Sequence, residues 1–126
     1  MGATDLLALA AGYAAALWGG DRFVARVLGR VVPPGSAPEI EQFRARGLPQ
    51  GGRVIGYLER FLTVSFVLLG TPAAIGLVLA AKGILRFGEI REAKDQRVAE
   101  YVLIGTMLSL SWALAVGAAL RWWLLP

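Results

Sequence analysis

The sequence predicts an all-α membrane protein, a bundle of about four transmembrane helices organised around a central helical hairpin. Three observations predict it. The 126-residue chain is 56% hydrophobic with a mean hydropathy of +0.59, more apolar surface than a short soluble domain can hide. Its apolar runs are separated by compact Pro/Gly punctuation. Its net charge of +4 comes from basic residues in two short blocks between apolar runs, the pattern of cytoplasmic loops and not of a nucleic-acid-binding face. A chain of this length holds one domain, residues 1–126.

The first helix is expected over residues 4–31. Thr4 and Asp5 can cap its first turn. A secretory signal would need a basic start, and none is present before Asp21. Met-Gly-Ala-Thr-Asp-Leu also lacks the Ser/Thr at position six of a myristoylation signal, so the segment reads as a retained helix. Ala8, Gly12, Ala16 and Gly20 recur every four residues, which lines one face with small side chains, as in closely approaching membrane helices. An alanine-rich helix with chance spacing is the plainer reading. Arg22, Arg26 and Arg30 keep the same spacing opposite Phe23, Val24, Val27, Leu28 and Val31, and are expected to snorkel to lipid headgroups where the helix leaves the bilayer.

Pro33, Pro34, Gly35 and Pro38 stop that helix. Residues 33–52 form a cytoplasmic connection carrying Glu39, Glu41, Arg44 and Arg46, with room for a short helix from Pro38 to Arg46 and with Gly47, Pro49, Gly51 and Gly52 ending it. Gly70-Thr71-Pro72 then divides a hairpin into helices over 54–69 and 72–91. The last helix is expected over 98–123, with Gly105, Ser109, Ala113 and Gly117 repeating the close-packing spacing and Trp122 and Trp123 at the interface. Six arginines lie from Arg22 to Arg53 and five Lys/Arg from Lys82 to Arg97. The positive-inside rule therefore places both segments in the cytoplasm and both termini outside.

Helix two is interrupted by Glu59-Arg60. Glu59 and Lys82 lie equally far on either side of the tight turn, roughly 16 Å away at about 1.5 Å per residue. In an antiparallel hairpin that puts them at one depth, where an ion pair is the natural geometry. Arg86 and Glu89 follow Lys82 at helical spacing, and Glu100 is expected back near Arg86. A lone charge at mid-bilayer costs about 2.5–3.5 kcal/mol on the mildest scale, so these groups should pair and face inward. Two readings stand: a buried clamp that sets helix register, or a pathway for protons or ions, with an anionic headgroup as a further ligand.

The composition also excludes chemistry. With no cysteine there are no disulfides, Cys-held zinc sites or iron–sulfur clusters. With no histidine there is no His-ligated haem, imidazole relay or Ser-His nucleophile. Ser109 and Ser111 with Lys82 could form a Ser-Lys pair, but nothing in their spacing requires it. Gly51-Gly52 has no following lysine and no preceding strand, so it is no phosphate loop. No enzyme activity, cofactor or metal is expected.

Three blocks carry a resemblance. They are Gly52-Arg53-Val54-Ile55-Gly56-Tyr57-Leu58-Glu59-Arg60, Ala80-Ala81-Lys82-Gly83-Ile84-Leu85-Arg86-Phe87, and Glu100-Tyr101-Val102-Leu103-Ile104-Gly105-Thr106-Met107-Leu108-Ser109. In these the chain resembles an uncharacterised bacterial integral-membrane family, a domain of unknown function. The resemblance implies that Glu59, Arg60, Lys82, Arg86 and Glu100 belong to one motif, and that the setting is a bacterial cytoplasmic (inner) membrane. It implies no activity. Family members usually have serine after the lysine where Gly83 stands here, and the first 51 residues lie outside the resemblance.

The leading expectation is a non-enzymatic protein that works by assembly, as an accessory subunit of a membrane complex or as a homo-oligomer, through the small-residue faces of the first and last helices. The alternative is a small channel or transporter using the Glu59/Lys82 cluster.

Overall fold

The computed structural model describes residues 2–33, 35–45, 51–71, 73–82 and 96–125, and these contain helices and no strand. The first rod has three pieces: α1 (Ala3–Ala14), a π-helical turn (Ala15–Gly19) and α2 (Gly20–Val31). A short α3 (Pro38–Arg44) lies in the connection, followed by α4 (Gly51–Leu68), α5 (Ala73–Lys82) and α6 (Gln96–Leu124).

Several boundaries differ from expectation. Gly2, not Thr4, is the N-cap of α1, and the Asp5 carboxylate accepts the Gly2 N–H at 3.1 Å. The helix in the connection ends at Arg44, not Arg46, and α4 starts at Gly51, not Val54. α6 is longer than 98–123 at both ends. Of the expected third helix, Pro72 and residues 83–91 lie outside the described residues, with Arg86 and Glu89 among them. Pro34, Arg46, Gly47 and Pro49 also lie outside.

Among the described residues only α6 is long and apolar enough to cross a membrane: it has 29 residues, and its most apolar stretch of 18 has a mean hydropathy of 1.8. Of the four transmembrane helices expected from the sequence, the last alone meets that test among the described residues. α4 carries Arg53, Glu59 and Arg60 within its 18 residues. The first rod is broken by the π turn, and its second half is strongly amphipathic, with Asp21, Arg22, Arg26 and Arg30 on it.

The turn after α4 follows from glycine geometry. Gly70 has φ +75°, a left-handed conformation open to glycine at little cost. The Thr71 N–H reaches the Phe66 carbonyl at 2.9 Å and the Gly70 N–H that of Val67 at 3.1 Å, the paired bonds of a Schellman motif. The Thr71 hydroxyl also turns back, to Phe66. From α6, Arg121 Nη1 donates to the Val67 and Leu68 carbonyls at 3.0 and 3.1 Å, supplying donors that the helix end lacks.

These contacts bring the end of α6 beside the α4–α5 turn. Gly12 of α1 faces Leu120 at the same end. At the other end Asp21 pairs with Arg53 at 3.4 Å and Glu39 with Arg97 at 3.1 Å. The helices therefore run up and down past one another, and α6 touches two separate apolar clusters. One holds Ala16, Val64, Ala113 and Leu120, and the other holds Ala37, Ile40, Phe43 and Val98. Burying Ile40 and Phe43 is what docks α3 on α6.

Gly70→Ala is expected to lower stability by about 1 kcal/mol, because alanine must adopt the left-handed conformation. Arg121→Ala should cost a similar amount, about 1 kcal/mol, by uncapping two carbonyls. Detergent-solubilised unfolding followed by tryptophan fluorescence measures both, and Arg121→Lys should recover part of the second loss.

Candidate functional site

Glu59 and Arg60 are adjacent, so their side chains leave α4 about 100° apart and meet different neighbours. Glu59 faces α5, where Lys82 Nζ donates to its Oε2 at 2.9 Å, with the two side chains 16% and 19% exposed. Arg60 faces the first rod and α6 and is 4% exposed. Its Nη1 donates to Ser109 Oγ at 2.9 Å and its Nη2 to the Leu17 carbonyl at 3.1 Å. Its Cζ lies 5.4 Å from the centroid of the Tyr57 ring, within cation–π range. The Nε has no hydrogen-bond partner. Among the described residues Arg60 makes no ion pair.

Glycines create the space for this head group. A Cβ at Gly20 would stand 2.5 Å from Arg60 Cδ, and one at Gly56 would stand 3.1 Å from Nη1. The π turn supplies the acceptors. Its wider winding tilts carbonyls away from the regular ladder, and two of them take side-chain donors: Leu17 from Arg60, and Ala15 from Trp112 Nε1 at 2.9 Å. Trp112 also stacks on Phe23 with ring centroids 5.0 Å apart. Gly19 leaves it room, since a Cβ there would lie 2.7 Å from the indole ring.

Sequence reasoning placed Arg60 in one cluster with the acids and did not single out Trp112 or Arg121. The adjacency of Glu59 and Arg60 was the available signal that they face different ways. The Gly19-Gly20 pair was the signal for a bulky group lying against the first rod.

The small-residue faces are used inside the chain. Ala16 and Gly20 are buried, and Ala8 packs against the cluster around Val64. On α6, Ser109, Ala113 and Gly117 are buried, with Gly117 close to Val64 and Val67. Gly105 comes within 3.5 Å of Leu28 at its would-be Cβ. These stripes therefore serve contacts between the chain's own helices and are not the outward assembly faces expected for them. Small side chains specify close approach but not whether the approaching helix belongs to the same chain.

Glu100 lies about 14 Å along α6 from Ser109 at 1.5 Å per residue. It is exposed and accepts from Gln96 Nε2 at 2.9 Å. The expected partner Arg86 lies outside the described residues. Arg22, Arg26 and Arg30 are all exposed on α2, as headgroup contacts would require.

An open cleft of about 540 Å³ runs along this charged layer. Asp21, Arg44, Arg53, Glu59, Arg60 and Lys82 line it, four bases against two acids, with Val24, Leu28 and Val102 on its apolar wall. A second space of about 10 Å³ adjoins Arg60, Glu59, Thr63, Thr106 and Ser109, about the size of one water. Among the described residues no three Asp or Glu side chains gather as metal ligands.

The chain matches no protein-family model, no curated protein and no solved structure. The site's own geometry carries the functional argument.

A double-mutant cycle on Arg60→Gln and Ser109→Ala should give a coupling of about 1–2 kcal/mol, in the range of a hydrogen bond to a charged group. SDS titration of the four proteins measures it. Strict additivity would show that the two side chains are energetically independent.

Proposed function

We propose that the chain is a multi-span protein of the bacterial cytoplasmic membrane, with four crossings and both termini outside, that works without catalysis by assembling with other membrane subunits. One observation carries the membrane setting: many large apolar side chains lie on the outside of the bundle while small and polar residues share its interior. Ala16 and Ala113 are fully buried and Arg60, Thr63 and Ser109 are buried, while Leu7, Leu69, Leu77 and Trp122 are 70–83% exposed. Water disfavours so large an apolar exterior, whereas lipid or a partner helix accepts it.

The arrangement of the helix ends fits this topology. The basic α2–α3 region and the start of α6 share one end, and the α4–α5 turn shares the other with the end of α6. On this reading α4 enters the bilayer in spite of its charges because Glu59 is neutralised by Lys82 and Arg60 is enclosed by its neighbours. The motif implied by the family resemblance then joins two separate devices, an ion pair and a guanidinium clamp. With the small-residue stripes occupied, contacts to another subunit fall to outer ridges such as Val54, Leu58 and Phe61 on α4 or Leu103, Met107 and Leu114 on α6, all of them exposed. A second copy of the chain or a different subunit fits such a ridge.

The alternative, a small proton or ion conductor, draws on the cleft and the water-sized space, which share Glu59, Arg60, Thr106 and Ser109.

Alkaline carbonate extraction of native membranes should leave the protein in the pellet, and release into the supernatant would end the membrane reading. Pull-down in a gentle detergent should then recover a stoichiometric partner or a defined oligomer, while a clean monomer would count against assembly. Glu59→Leu combined with Lys82→Met should leave insertion and partner binding intact. Proton or ion flux in proteoliposomes that this double variant abolishes would establish the conductor instead.

A further inference from the structure

We infer that the charged cleft is a binding site for a phosphate group carried on an amphiphile, the headgroup of an anionic phospholipid of the cytoplasmic leaflet. The inference rests on the membrane reading and names a ligand for its charged layer.

The charge count is the first argument. Of the six charged residues that line the cleft among the described residues, Asp21 pairs with Arg53 and Glu59 with Lys82. That leaves the described lining with two positive charges in excess, on Arg44 and Arg60. Arg44 is exposed at the rim. Arg60 is 4% exposed, has no carboxylate partner among the described residues, and commits only Nη1 and Nη2 to one neutral acceptor each. A guanidinium carries five N–H donors, so three remain unused, and the Nε is buried without any acceptor. A buried cation whose hydrogen bonds all go to neutral oxygens is costly, and with Asp21 and Glu59 each engaged by another base, an anion arriving from the cleft relieves that cost.

Shape and polarity choose the kind of anion. The volume of about 540 Å³ far exceeds a bare oxyanion and falls in the range of roughly 300–1,000 Å³ usual for small-molecule sites. Val24, Leu28, Ile55 and Val102 face the same space, an apolar wall beside the charged one. A glycerophosphate group with the start of its acyl chains meets both walls. The rim residues Arg44 and Arg53 lie at the end of the bundle that carries the α2 arginines, which the proposed topology places at the cytoplasmic headgroups. Arginine gathers phosphate oxygens well because its fork can give two parallel bonds, and basic pockets on this side of membrane proteins suit anionic lipids.

The test uses the full chain in phosphatidylcholine nanodiscs or detergent, with dihexanoyl phosphatidylglycerol, dihexanoyl phosphatidylcholine and inorganic phosphate as separate probes. Native mass spectrometry and isothermal titration read the binding. One phosphatidylglycerol per chain is expected, held at least tenfold more tightly than phosphatidylcholine. Arg60→Gln should weaken it tenfold or more, and Arg44→Gln, at an exposed position, by three- to fivefold. Inorganic phosphate that binds as tightly as the lipid, with the same dependence on Arg44 and Arg60, would keep the phosphate chemistry and assign it to a soluble ion, overturning the lipid as its source. Binding of neither probe, or lipid binding unchanged in the Arg44→Gln protein, would overturn the site. Carbonate extraction of the same preparations separates the two levels. A chain that stays in the membrane and binds no phosphate defeats this inference alone, whereas a chain that is extracted defeats the membrane reading beneath it.

Discussion

A single buried guanidinium organises the middle of this bundle. Arg60 on α4 ties Ser109 on α6 to the Leu17 carbonyl on the first rod, so three helices meet at one side chain. Hydrogen bonds to a charged group contribute about 1.5–3 kcal/mol each, and removing an ion of this size from water costs several kcal/mol. Two such bonds and a ring face recover part of that penalty, and the Nε is left without an acceptor. The surrounding sequence is shaped by that balance. Gly20 and Gly56 are small because the head group occupies their side-chain space, and the π turn is where regular helix gives way to expose acceptors.

The two neighbouring devices divide the work. Glu59 and Lys82 join α4 to α5, while Arg60 joins α4 to α6 and the first rod. Trp112 repeats the second arrangement one turn away on α6, bonding Ala15 and stacking on Phe23. The apolar clusters lie to either side, around Val64 and around Val98. Few large apolar side chains are fully buried, and Val64 and Val98 are the largest below 2% exposure. Polar specificity and close backbone approach therefore replace a bulky core.

Some of this was legible in the sequence because it depends on local chemistry. Gly70-Thr71 marks the turn through a backbone conformation that favours glycine, Pro33 and Pro38 bracket the connection, and equal distance from the turn places Glu59 opposite Lys82. Other features depend on rotation about a helix axis or on a distant partner. The direction of Arg60 follows from its angular offset from Glu59, which a list of charges does not convey. The π turn inserts an irregularity that the four-residue repeat of Ala8, Gly12, Ala16 and Gly20 conceals. That repeat announces a close neighbour, and the neighbours are the chain's own α4 and α6. The helical class was legible, whereas the lengths and characters of the individual helices were not, because hydropathy averages over Arg53, Glu59 and Arg60 without showing which of them are enclosed.

The long sequence separation of the α4 contacts has a consequence in time. Ser109 follows Arg60 by 49 residues and Arg121 follows Val67 by 54. At synthesis rates of about 5–20 residues per second, α4 exists for seconds before either contact can form. During that interval the guanidinium has only its Leu17 acceptor, on the rod made before it, and the last carbonyls of α4 lack the Arg121 donor. The emergence of α6 is then the event that closes the fold, and α4 settles in its final place only after the last helix has been made.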